Sequence, residues 1–213
     1  MKQPETPFRL FDFLAYLFPG MVTIHLFYIL MKGKPTTIIR GITTGNSVID
    51  VSIFLAGSYI IGLSWSVFTR FVVRPLTWKI SNPRIDFFEG TDPNSPLGET
   101  MTTKLQELAK AKFGDKSLNA DIGHRLCREY ISINRPETWN RREEIKAVRS
   151  MCANSIGPAI LYAFVFASKG WWFLCIAALF TALALSSKMI TLDKREWKVL
   201  YLAFILNEES KSS

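Results

Sequence analysis

From Val51 to Thr69 the chain carries no charged residue. At about 1.5 Å of rise per helical residue, this stretch and its apolar neighbours from Val48 to Val73 are long enough to cross roughly 30 Å of hydrocarbon. A helix on the surface of a soluble domain would need a polar face toward water. Three other blocks read the same way: Phe11 to Met31, Trp171 to Ile190, and Ala153 to Ser168, the last reaching span length only by borrowing Met151 and Cys152. Apolar residues make up 48% of the chain and lie in these blocks instead of recurring at core-forming intervals. The expectation is an all-α helical membrane protein, with four transmembrane helices and a cytoplasmic helical insert between the second and third. Its regions are a first helix pair (1–73), the insert (74–152), a second helix pair (153–191) and a C-terminal amphipathic segment (192–213).

A formal charge of +8 raises the question of nucleic acid, and the placement of the charges argues against it. An even number of spans puts both termini and the insert on one face, and 22 of the 26 Lys and Arg residues fall there. Only Lys32, Lys34, Arg40 and Lys169 fall on the other. The positive-inside rule then puts both termini in the cytoplasm, and direct nucleic-acid binding is not expected. Cys127, Cys152 and Cys175 are too few and scattered for a disulfide framework. The first apolar block follows Lys2 and Arg9 and runs on into KGKPTT with no small-residue cleavage site, so it reads as a retained anchor.

Within the insert, NPRIDFFEGTDPNSPLGE has the composition of an irregular loop. TMTTKLQELAKAKFG suits a helix stopped at Gly114. LNADIGHRLCREYISIN predicts another, with Ile122, Leu126, Tyr130 and Ile133 on its apolar face. Pro136 suits a first-turn position, and the helical pattern after it continues unbroken into the third span. Near the C-terminus Trp197, Leu200, Tyr201, Phe204 and Ile205 recur at helical spacing over too short a run to span, predicting an amphipathic helix at the inner surface or packed on the insert.

Ionisable groups in a span invite a functional reading. Asp12, at the cytoplasmic end of the first span, suits an interfacial charge at a helix N-terminus, and the deeper His25 suits a hydrogen bond to a neighbouring helix. Pro19-Gly20 is a candidate hinge. Proline removes one helical hydrogen bond and glycine admits a second backbone, which lipid tolerates only where protein satisfies the freed carbonyl. The second span offers Ser58, Gly62 and Ser66 at four-residue spacing, a stripe for close packing within the chain, for a subunit interface or for lining a pore. Ala178, Ala182 and Ser186 repeat the pattern in the fourth.

His124 and Cys127 have half-site spacing for a metal, but there is no second pair, and neither metal nor cofactor is expected. No nucleophile elbow, phosphate-binding loop or zinc-protease motif occurs, so no catalytic residue is proposed and the chain does not read as an enzyme. Glu143 and Glu144 sit among Arg141, Arg142, Lys146 and Arg149 and read as a solvated, salt-bridged helix face. Arg125, Arg128, Arg141, Arg142 and Arg149 remain as candidate contacts for anionic lipid, a phosphate or an acidic partner.

The FDFLAYLFPG entry, a second span ending in Arg70-x-x-x-Arg74-Pro75, LCREYI and RREEIKAVRS in the insert, and the closing helical hairpin resemble small four-pass proteins of bacterial antiphage operons. The membrane components of Kiwa defence systems are the nearest named family. The resemblance implies a multi-pass protein of the bacterial inner membrane that forms a homo-oligomer, senses infection and works with a cytosolic partner. The competing expectation is a gated pore or membrane-disrupting effector switched by a nucleotide or protein signal. Depolarisation on activation separates the two.

Overall fold

A computed structural model describes residues 10–30, 47–75 and 97–212. Lys2, Arg9, the KGKPTT segment, most of the Pro- and Gly-rich loop and the side chain of Asp12 lie outside the described residues. All the described elements are helical: α1 (Leu10–Leu30), α2 (Ser47–Phe68, wound on as a π-helical turn Thr69–Val73), α3 (Gly98–Phe113), α4 (Ala120–Asn134), α5 (Pro136–Ser168) and α6 (Trp172–Ser212), with a 3₁₀ turn at Asp115–Leu118. Three of them are long and apolar enough to cross a membrane, the ranges being Ser47–Val73, Pro136–Ser168 and Trp172–Lys211, and α1 contributes a shorter apolar stretch, Phe13–Tyr28.

The helix boundaries follow local chemistry. Gly114 ends α3 at φ 80°, a conformation that costs glycine no side-chain clash, and its N–H bonds the Lys110 carbonyl. Asn119 caps α4, its side chain accepting from the N–H groups of Asp121 and Ile122. Pro136 opens α5, where its missing N–H leaves nothing unsatisfied. At the α5–α6 turn Gly170 has φ 72°. Its N–H reaches the Ala167 carbonyl while that of Trp171 reaches Phe166, and the Trp171 and Phe166 rings lie 5.9 Å apart. That is a Schellman closure with its usual apolar contact.

The chain divides into two compact units. One unit comprises Met1–Pro75 and Ala147–Met189, and the other Leu76–Lys146 and Ile190–Ser213. The C-terminal segment is not a helix of its own. It is the last part of α6, and it shares a core with the insert: Leu97, Leu105, Ala109, Ala120, Cys127, Ile131, Trp197, Leu200, Tyr201, Phe204 and Ile205. Of the two placements expected for this segment, packing on the insert is the observed one, because its apolar stripe fills the space between α3 and α4.

In the first unit the outer faces of α2 and α6 carry exposed large apolar residues such as Val51, Ile60, Val67, Phe180 and Leu183. This pattern is compatible with a membrane protein, in which hydrocarbon covers what water would not.

Candidate functional site

In the first unit α1 meets α2 backbone to backbone. A Cβ built on Gly20 would lie 1.7 Å from the Ser58 carbonyl oxygen, and one on Gly62 would lie 1.7 Å from that of Tyr16. The two contacts are reciprocal, a four-residue step along each helix matching one along the other. Ser58 and Gly62 are buried by α1, whereas Ser66 is only half-buried and donates to its own helix at the Leu63 carbonyl. The stripe's close contact is therefore within the chain.

Pro19 lies inside α1, which continues through it. Its missing N–H would have bonded the Ala15 carbonyl four residues back. Asn154 of α5 supplies the replacement, donating Nδ2 to that carbonyl at 3.3 Å. One turn on, Thr23 Oγ1 donates to the Pro19 carbonyl and accepts from Trp65 Nε1, both at 2.8 Å. His25 Nδ1 lies 2.8 Å from the Tyr162 hydroxyl, which donates to the Val22 carbonyl at 3.1 Å. With that single hydroxyl hydrogen committed, Nδ1 is the donor to the Tyr162 oxygen. Thus Pro19 and Gly20 are buried against protein, whereas His25 is exposed and touches α5 through one ring nitrogen. Asn154 escaped the sequence reading, although an amide within an apolar run of span length is a signal that a neighbouring helix needs a donor.

The second unit holds most of the candidate arginines, and it treats them differently. Arg125 is exposed and paired with Glu129 at 3.1 Å. Arg128 is exposed and lies over the Trp139 ring, 5.6 Å from its centroid. Arg141 is exposed. Arg149, half-buried, belongs to the first unit.

Arg142 is not a surface contact. It is 3% exposed, donates to Glu196 at 2.5 Å and to Glu143 at 2.7 Å, and lies over the rings of Trp139 at 4.7 Å and Trp197 at 5.5 Å. Glu196 is 1% exposed. Desolvating this pair costs several kcal/mol per ion, which attraction between the partners offsets only when the geometry is good, and here two carboxylates and two aromatic faces meet one guanidinium. The expected solvated face is correct for Glu144 and Arg141, but Arg142 turns inward because Glu196 arrives from α6.

The apolar face of α4 is also rotated from the expected one. Its buried residues are Ala120, Gly123, His124, Cys127 and Ile131, while Ile122 is exposed and Ile133 is 71% exposed. His124, counted as polar, packs edge-on against Trp197 with centroids 4.2 Å apart, and its Nδ1 lies 3.0 Å from the Tyr201 hydroxyl. Cys127 is fully buried, which pushes its thiol up to about 12. Among the described residues no cluster of three His, Cys, Asp or Glu could hold a metal.

A second polar node closes the same unit around Tyr130. Its hydroxyl donates to Glu208 and accepts from Asn207 Nδ2 at 2.7 Å and Lys211 Nζ at 2.6 Å, while Arg135 Nε donates to Asn207 at 2.8 Å. Lys112 pairs with Glu208 at 3.2 Å, and Lys104 pairs with Glu209. Burial pushes the Glu208 carboxyl up, but hydrogen bonds from Tyr130 and Lys112 and the charges of Lys112 and Lys211 outweigh it and hold the group below its ordinary value. These contacts tie the C-terminal end of α6 to α3 and α4.

Comparison with protein-family models, curated proteins and solved structures finds no match.

Proposed function

We propose that this chain is an inner-membrane sensor or scaffold of a bacterial antiphage defence system, crossing the bilayer four times with both termini inside, oligomerising through its spans and recruiting a cytosolic partner. The observation that carries the reading is the contrast between the two units. One presents apolar helices with exposed hydrophobic outer faces. The other closes a core of its own and leaves Arg125, Arg128 and Arg141 on its surface. Such a unit suits recognition of an acidic surface, because guanidinium groups form paired hydrogen bonds with carboxylates and phosphates. The burial of Ser58 and Gly62 against α1 favours the scaffold over the pore, since a pore lined by that stripe would first have to break the Gly20 and Gly62 contacts.

The test is phage challenge of cells carrying the chain with its native neighbouring genes, alongside a charge-reversed R125E/R128E/R141E variant. Protection should appear as a fall in plating efficiency, vanish in the variant and leave the resting membrane potential intact. Equal plating with and without the wild-type chain would refute the defence role. Depolarisation on infection that depends on this chain alone would replace the scaffold by the pore.

A further inference from the structure

The turn between α5 and α6 carries apolar surface that its own closure does not need. The Schellman contact uses Trp171 against Phe166. The next two residues, Trp172 and Phe173, are 65% and 81% exposed, and Leu174 and Ile176 are exposed beyond them. Lys169 lies 5.5 Å from the Trp171 ring centroid, so a cation, two indoles and a phenyl ring stand together at one tip.

Depth along the helices says what covers them. Arg149 and Lys169 are separated by 20 residues of α5 and its end, which is about 30 Å at helical rise. On α6, Trp172 and Lys188 are 16 residues apart, about 24 Å. The hydrocarbon layer is roughly 30 Å thick, so basic residues held at one boundary bring the tip to the opposite one. Tryptophan suits that boundary, with its ring in the acyl region and its N–H toward the headgroups, and a lysine beside it meets lipid phosphate. Farther along the same two helices Phe164, Phe180 and Leu183 are also exposed, on faces that hydrocarbon would cover.

We propose that Lys169, Trp171, Trp172 and Phe173 form a phospholipid anchor at the headgroup–acyl boundary of the leaflet opposite the one holding Arg149 and Lys188, setting the depth of the α5–α6 hairpin. This rests on the membrane reading of the first unit, and the experiment separates the two. An environment-sensitive fluorophore is attached at Phe173→Cys or, as a mid-span control, at Phe180→Cys. The full chain is then reconstituted in phosphatidylethanolamine–phosphatidylglycerol vesicles carrying nitroxide labels high or low on the acyl chain. The three native thiols are buried, so the parent protein serves as the labelling blank.

Quenching at Phe173 should be about twofold or more stronger from the shallow than from the deep nitroxide, and at Phe180 the order should reverse. W171A/W172A should weaken the shallow preference at Phe173 while leaving Phe180 unchanged. Preferential deep quenching at Phe173, quenching by aqueous iodide alone, or efficient cross-linking of Phe173→Cys between two copies would each overturn the anchor. Failure of either nitroxide to quench Phe180 would overturn the membrane reading itself.

Discussion

Replacing Gly62 by alanine places a methyl carbon 1.7 Å from the Tyr16 carbonyl oxygen, where the obstacle is backbone and cannot rotate away. Ordinary contact begins near 3.4 Å, so α1 and α2 must part by about 1.7 Å along that direction, forfeiting dispersion contacts down the crossing. Overpacking of this kind costs about 1–3 kcal/mol when side chains can adjust, and a backbone obstacle puts G62A at about 3 kcal/mol. Gly20→Ala meets the same barrier at Ser58 and should cost about the same. The reciprocal geometry makes a sharper claim. A separation that admits one methyl group also admits the other, so G20A/G62A should cost little more than either single variant, a coupling on the order of 2 kcal/mol. Reversible unfolding in mixed micelles, followed by far-UV circular dichroism as SDS is added, measures all three. A neutral G62A, or two costs that simply add, would refute the reciprocal crossing.

Asn154→Leu deprives the Ala15 carbonyl of its donor and should cost about 1–3 kcal/mol in the same assay. Pro19→Ala restores the backbone N–H, so adding it should recover most of the loss. Arg142→Met leaves Glu196 and Glu143 without its guanidinium and should destabilise the second unit by about 3–5 kcal/mol, whereas R142M/E196L should be much milder, as pulsed proteolysis would register. Glu208 is held below its ordinary value, so its contribution to stability is present above the usual carboxylate range and is lost as pH falls through the depressed folded value. Tyr130→Phe should therefore flatten the acid side of the stability profile measured by thermal melts between neutral and acidic pH. An unchanged acid limb would disprove the part assigned to Tyr130.

Local signals in the chain are most legible where one residue settles the matter. Gly114 ends a helix because its φ is open to glycine, and Pro136 begins one because proline loses nothing there. Pro19 announced that a neighbour must satisfy a carbonyl. Nothing local could name Asn154, which arrives from 139 residues along the chain. The buried face of α4 is hidden from the sequence for a related reason. Hydrophobic periodicity counts histidine as polar, yet His124 is buried by Trp197 and Tyr201 from the far end of the sequence. Arg142 looked like its neighbour Arg141, and they differ because Glu196 meets only one of them.

The sequence by itself determined the helical class, three of the apolar helices of span length and the stops at Gly114 and Pro136, because these depend on backbone preference and on the apolar length of a single segment. Tertiary structure alone decided that the C-terminal stripe completes the insert's core and that the Ser58 and Gly62 stripe is consumed by α1. It also decided that one arginine of the candidate set is interior. Those outcomes depend on which distant group fills a space or meets a charge, and free energies of contact, unlike helix periodicity, have no address in the local chain.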